Sequence, residues 1–283
     1  MEVFAAVVLG IVQGLTEFLP VSSSAHLVLV PWFLGWKPEG LTFDVALHLG
    51  TSAALIAFFW REWVELAREG LLGILRGDPL GNAPRRLAWL LVLATIPGGI
   101  FGLTLEKWIE AHARSPQVIA AMLVIFGLVL LYAERRGKQR RSIEDLSWSD
   151  GLWIGLSQAL AIVPGVSRSG ITISAAMLRD ARRTAAARFS FLLSTPVILG
   201  AGVLEGRHLV RALLHPTLAA ASDLGGPERM SWAVLLAGTA SASVTGFLCI
   251  RFFLRYLERH SFLPFVLYRF ALAALVLLVF SRA

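Results

Sequence analysis

The run Gln13-Gly14-Leu15-Thr16-Glu17-Phe18-Leu19-Pro20-Val21-Ser22-Ser23-Ser24-Ala25-His26 places a carboxylate, a proline and three consecutive serines inside an otherwise apolar stretch, residues 3–33. A second apolar stretch, 151–178, is interrupted in the same way by Pro164-Gly165-Val166-Ser167-Arg168-Ser169-Gly170-Ile171-Thr172. Split at the interruption, each limb of about 14 residues rises only about 21 Å as a helix. The hydrocarbon core of a bilayer is about 30 Å thick, so neither stretch can cross twice. A single continuous crossing would leave the proline and the serines near mid-membrane. A re-entrant helix–loop–helix, entering and leaving by the same face, satisfies both lengths. Non-helical backbone at that depth requires burial in protein or a wet cavity.

The composition sets these hairpins in a membrane. Of 283 residues, 56% are hydrophobic and 16% charged, and the mean hydropathy is +0.69. Soluble domains carry about 25% charged and about 45–50% apolar residues, so a disordered chain, a coiled coil and an ordinary cytosolic enzyme are excluded. Six further apolar segments are long enough to span: 42–60, 87–105, 115–133, 188–204, 231–250 and 262–280. Segment 61–76 mixes charges with Trp63, Val64, Leu66, Leu71 and Leu72 and reads as a surface amphipathic helix. The opening Met1-Glu2 has no basic n-region, so the first apolar run is expected to stay in the mature protein. The single cysteine, Cys249, excludes an intramolecular disulfide and a cysteine-based metal cluster.

A net charge of +7 and a pI near 10.4 raise the question of nucleic acid. Topology accounts for the charge instead, because cytoplasmic loops concentrate Lys and Arg. With both hairpins re-entrant, 17 basic residues (in 61–86, 135–141, 179–188 and 251–259) fall on one side. Seven, Lys37, Lys107, Arg114, Arg207, Arg211, Arg229 and Arg282, fall on the other. Full crossings by both stretches would reduce the split to 14 against 10. The sharper division places 61–86 and 135–141 in the cytoplasm, and no nucleic-acid partner is expected. All nine tryptophans lie at or near the end of an element, as an interfacial belt requires.

The two interruptions are related. Gly10-Ile11-Val12-Gln13 and Gly155-Leu156-Ser157-Gln158 open them, and Ser22 and Ser167 follow the glutamines at the same distance, with Ser24 and Ser169 two residues on. Three spans separate the hairpins, so the first enters from outside and the second from the cytoplasm. The expected architecture is an all-α integral membrane protein of about six transmembrane helices and two re-entrant hairpins. It forms a single domain over 1–283, as an inverted repeat of about 1–133 and 150–283 joined by a basic cytoplasmic linker, 134–149. Paired broken helices of opposite orientation commonly meet at a mid-membrane site.

Ionisable side chains inside apolar segments are costly and mark function; Glu17, His26, Asp44, His48, Arg168 and Arg269 are the candidates. Gln13 and Glu17 share a helix face. Ser22, Ser23, Ser24 and His26 stand at the start of a helix, where serine also serves as an N-cap and free amides attract anions. The second tip adds a guanidinium. Arg168 with Ser167, Ser169 and Thr172 and two helix N-termini resembles a phosphate receptor. A carboxylate beside such a receptor argues for a bridging divalent cation, Mg²⁺ or Ca²⁺. His48 is expected to serve structure, Asp44 to cap a helix and Arg269 to snorkel to the cytoplasmic edge.

Both runs together resemble the two signatures of the undecaprenyl-diphosphate phosphatases of the bacitracin-resistance type. Leu47-His48-Leu49-Gly50-Thr51, Ala94-Thr95-Ile96-Pro97, Phe191-Leu192-Leu193-Ser194-Thr195-Pro196 and Tyr268-Arg269 are similar as well, so the likeness runs nearly end to end. It departs from the family pattern at Ala25, where glycine is usual, and at Gln13, where glutamate is. The resemblance implies a bacterial inner-membrane enzyme. It would hydrolyse the terminal phosphate of a polyprenyl diphosphate among membrane lipids, undecaprenyl diphosphate, giving undecaprenyl phosphate and inorganic phosphate, at a site facing the periplasm. On this reading Arg168, Ser22, Ser24, Ser167, Ser169 and Thr172 hold the diphosphate, Glu17 and Gln13 position the cation, and Ser23 attacks with His26 as base. Attack by His26 or by water stays open, as does a homodimer. A transporter of a lipid-linked anion is the rival reading, since transport needs no nucleophile. A lipid phosphatase of the phosphatidic-acid type would need a histidine soon after Arg168, and the next is His208.

Overall fold

The computed structural model describes residues 3–36, 40–113, 115–214 and 231–281. The first half of the chain holds α1 (Val3–Thr16), α2 (Ser23–Leu34), α3 (Leu41–Phe58), α4 (Trp60–Leu75), α5 (Ala83–His112) and α6 (Pro116–Arg136). The second half holds α7 (Trp148–Ala159), a 3₁₀ turn (Leu160–Ile162), α8 (Arg168–Leu178), α9 (Arg183–Leu214), α10 (Trp232–Leu257) and α11 (Leu263–Phe280).

Five segments, Ala83–Leu105, Pro116–Arg136, Arg183–Val203, Trp232–Leu257 and Leu263–Phe280, are long and apolar enough to cross a membrane. A sixth candidate is the pair α3 and α4, which pass the same test together and are bent by 79° at their junction. The bend falls at Phe59, beside the expected boundary between span and surface helix. α4 buries Leu66, Gly70 and Gly73 and leaves its charged face outward, as an interfacial helix does. The protein is therefore an all-α, multi-pass membrane protein. Helix boundaries move where caps act: α5 starts at Ala83 because the Asn82 side chain accepts the Arg85 amide at 2.9 Å. Lys37, Arg114, Arg229 and Arg282, four of the basic residues expected on the outer face, lie outside the described residues.

The hairpins are α1–α2 and α7–α8, with 14, 12, 12 and 11 residues. The first helix of each packs on a helix of the other half, α1 on α10 and α7 on α5. The contacts are close because glycines make them so. A Cβ on Gly10 would lie 2.4 Å from the Gly238 carbonyl oxygen, and one on Gly155 would lie 2.6 Å from that of Ala94. Gly10 and Gly155 are the paired residues that open the two hairpin motifs. The halves thus exchange helices reciprocally.

The linker 134–149 is tied to the open end of the second hairpin. Arg140 and Arg141 amides donate to the Asp180 carbonyl at 2.9 and 3.0 Å, and Arg141 accepts from the Arg182 amide at 2.9 Å. Asp150, at the start of α7, receives Arg141 at 2.7 Å and also pairs with Arg179. Burial pushes the Asp150 carboxyl up, but Arg141, the Ser147 amide and Arg179 outweigh it and hold the group far below the usual carboxylate range.

Candidate active site

Each tip turns on a serine in the left-handed region, Ser22 at φ 75° and Ser167 at φ 73°. That conformation costs a residue with a Cβ about 1–3 kcal/mol and persists only where its surroundings enforce it. Both serines are N-caps: Ser22 Oγ accepts the Ala25 amide at 3.4 Å and Ser167 Oγ accepts the Gly170 amide at 3.1 Å. The residues that follow them, Ser23 and Arg168, begin α2 and α8. The repeat therefore puts a hydroxyl at one helix start and a guanidinium at the matching position of the other.

The tips touch directly. The Gly165 amide donates to Ser22 Oγ at 3.2 Å, and Ser169 Oγ donates to the Leu19 carbonyl at 3.1 Å. Glu17 is the hub. Its Oε1 receives Arg168 from the opposite hairpin, and its Oε2 accepts from Ser23 Oγ at 2.6 Å and Gln13 Nε2 at 3.0 Å. His48 Nε2 stands 3.6 Å from the same oxygen. His48, expected to serve structure, therefore stands beside the Glu17 carboxylate, on the face of α3 turned toward the first tip.

His26 is at the site but is not paired with Ser23. Its Nδ1 lies 2.7 Å from the Ser22 carbonyl oxygen and its Nε2 lies 2.7 Å from the Tyr268 hydroxyl. A carbonyl can only accept, so Nδ1 carries the proton and Nε2 accepts from Tyr268. The expected serine–histidine pair is replaced by a serine–carboxylate pair. Thr172 is also displaced from its expected role, because its hydroxyl is buried between the Arg168 carbonyl oxygen at 2.7 Å and Ser190 Oγ at 2.7 Å. Asp44 lies in the first turn of α3, whose N-cap is Gly40.

Arg269 does not snorkel. It is fully buried and donates to main-chain carbonyls of both tips and of α6: Pro20 at 3.1 Å, Gly165 at 2.7 Å, Val166 at 3.2 Å, Leu123 at 3.0 Å and Met122 at 3.3 Å. A position seven residues from a span end suggested an escape route to the interface, but carbonyls gathered from three segments give the guanidinium a better partner than water.

A cavity of about 260 Å³ opens between α2, α3 and α9. Its polar lining comes from Ser24, Asp44, His48 and Arg168, and its apolar lining includes Leu27, Leu49 and Ile198. A guanidinium beside apolar side chains suits an amphiphile with an anionic head. Among the described residues no three His, Cys, Asp or Glu side chains converge as a metal cage. The donors do fit a cation held largely by substrate oxygens. Glu17 supplies a carboxylate, and one turn earlier Gln13 Oε1 is buried with no hydrogen-bond partner.

Residues 6–275 match the family described as bacitracin resistance protein BacA. The chain is 49% identical over 280 residues to an undecaprenyl-diphosphatase of Moorella thermoacetica, covering 99% of this chain and 98% of the relative. It is 47% identical over 279 residues to one from Desulforudis audaxviator, with 99% and 98% covered. A third, from Thermomicrobium roseum, is 44% identical over 290 residues with both chains covered in full.

Proposed function

This chain belongs to the bacitracin resistance protein family and dephosphorylates undecaprenyl diphosphate, and we propose that it does so through a phosphoseryl intermediate on Ser23. The observation that carries this reading is the junction at Glu17, where the Ser23 hydroxyl and the Arg168 guanidinium of opposite hairpins meet on one carboxylate.

Arg168 is shared between Glu17 and the incoming substrate. A diphosphate entering the cavity recruits the guanidinium fork, since a phosphate carries more charge and more acceptor oxygens than one carboxylate. Glu17 is then free of its ion pair and already accepts the Ser23 hydrogen bond, so it is placed to take the hydroxyl proton. Ser23 Oγ attacks the terminal phosphorus, the bridging P–O bond breaks, and undecaprenyl phosphate leaves. Water then attacks the phosphoserine and inorganic phosphate departs, Glu17 returning the proton to Ser23. His26 and Tyr268 border the reacting serine and order the first turn of α2. Ser22, Ser24, Ser167 and Ser169 shape the tips against the headgroup. A divalent cation, Mg²⁺ or Ca²⁺, held by Glu17 and Gln13, would neutralise charge on the diphosphate.

The protein acts in the bacterial inner membrane with its site facing the periplasm, a placement supported by the division of basic residues. There the product re-enters use as a lipid carrier. The deciding experiment is phosphate release from C55 diphosphate by detergent-purified protein, with no gradient present. Activity abolished by EDTA and restored by Mg²⁺ or Ca²⁺ supports the enzyme and its cation. Absence of hydrolysis, with lipid transfer in vesicles instead, would favour the transporter reading. Recovery of phosphoserine at Ser23 after acid quench supports the covalent step, and a Ser23→Ala enzyme with near-normal turnover refutes it.

A further inference from the structure

Two non-glycine residues at the paired positions of the hairpins, Ser22 and Ser167, hold left-handed backbone conformations. The residues directly after them, Ser23 and Arg168, do the chemistry in the function proposed above, on which this inference rests. Something must hold both strained turns at once. Besides the direct contacts of Ser22 and Ser169, Arg269 donates to carbonyls of both tips, and all five of its hydrogen bonds go to main-chain carbonyls.

We propose that Arg269, on α11, is a positioning residue that sets the backbone of both tips and thereby aims Ser23 and Arg168 at a common phosphate. The peptide plane leading into Ser167 is fixed by the bond from Arg269 to the Val166 carbonyl, 3.2 Å. Because the peptide is planar, that bond fixes the direction of the Ser167 amide, and with it the rotation that defines the strained φ. Nη1 of the same guanidinium holds the Pro20 carbonyl at 3.1 Å, two residues ahead of Ser22, and Nη2 holds Gly165 at 2.7 Å. The Gly165 amide in turn donates to Ser22 Oγ. One planar fork thus couples the two turns to each other and to the α6 carbonyls of Met122 and Leu123. A lysine ammonium keeps the charge but cannot reach carbonyls arranged around the guanidinium plane.

The test uses the full-length protein in detergent, with phosphate release from C55 diphosphate and thermal melting read in parallel. Arg269→Lys is expected to lower kcat about 100-fold, with a smaller change in KM and a retained cooperative melt. Combined with Arg168→Lys, its loss should not multiply, because both substitutions spoil the same alignment. Gly170→Ala is the gentler variant. Its methyl would lie 3.3 Å from Arg269 Nη1 and 3.1 Å from Ser167 Oγ, in a helix that alanine favours. It should lower kcat several-fold without lowering the melting temperature. Folded Arg269→Lys protein with wild-type kcat, or losses that multiply with Arg168→Lys, overturns the proposal. If Arg269→Lys does not fold, wild-type kcat in Gly170→Ala overturns it. Wild-type activity in the same assay tests the phosphatase reading separately, so failure of the two ideas is told apart.

Discussion

Replacing Glu17 by glutamine keeps the volume and one acceptor while removing the charge on which the two hairpins meet. The Glu17 side chain is 4% exposed and its partner Arg168 17% exposed. Removing one member of a buried pair costs about 3–5 kcal/mol because the other charge is stranded. Arg168 borders the open cavity and recovers part of its hydration there, which brings the expected cost to about 2–3 kcal/mol. For a chain of this size that lowers the melting temperature by about 4–12 °C, leaving a folded protein to assay at 25 °C. Catalysis suffers separately. Loss of a general base typically costs about 10²–10⁴-fold in rate, and the fall should appear in kcat, since Arg168 remains to hold phosphate. The measurements are phosphate release under saturating substrate and a melting curve on the same preparation. A Glu17→Gln enzyme that keeps more than about a tenth of wild-type kcat refutes Glu17 as the acceptor of the Ser23 proton. One that melts higher than wild type refutes the structural value of the ion pair.

Arg168→Lys should raise KM for the diphosphate and lower kcat/KM by at least about 100-fold, because the two-pronged contact is lost although the charge stays; wild-type kinetics would remove Arg168 from the phosphate. Tyr268→Phe deletes the hydroxyl on His26 Nε2 but keeps the stacked ring; a loss of about 0.5–1.5 kcal/mol in stability is expected from thermal denaturation, and none at all would mean that the pair forms no hydrogen bond. Asp150→Asn should destabilise the protein by about 2–3 kcal/mol at neutral pH. The folded carboxyl is held below its ordinary value of 3.8, so its contribution is fully present above that pH and fades as pH falls toward the folded value. Melting temperatures of wild type and Asp150→Asn should therefore differ by a constant amount from pH 5 to 8 and converge below about pH 4; a gap that widens in acid would contradict the assignment.

The hairpins were legible because length and chemistry conflict there: serines, a proline and a carboxylate have no business in a crossing helix unless it breaks. The same conflict singles out Glu17, Ser23 and Arg168, whose side chains meet in the structure. The spacing shared by Gln13–Ser22 and Gln158–Ser167 exposed the repeat without any knowledge of packing. The partner of each side chain was not legible. Ser23 and His26 are three residues apart and look like a pair, but the start of α2 turns the ring toward the Ser22 carbonyl and toward Tyr268, a residue 242 positions away. Thr172 shares the polar character of its neighbours, and only the packing of α8 on α9 shows its hydroxyl consumed by Ser190. Arg269 misled because burial of a charge among carbonyls depends on three segments converging, and no local pattern encodes that convergence.

The position of Arg269 in the chain has a consequence for biosynthesis. The first signature run, 13–26, leaves the ribosome early and the second, 164–172, past the midpoint of the chain, and the first could insert and form its hairpin well before Arg269 is made. The arginine that pins Pro20, Gly165 and Val166 is translated after all of them, and α10, against which α1 packs, precedes it only shortly. A nascent chain therefore carries every reacting group of the site while lacking the part that brings them into alignment. On the role proposed for Arg269, hydrolysis of lipid diphosphate requires α11 to be in place, so enzymatic activity would report its insertion.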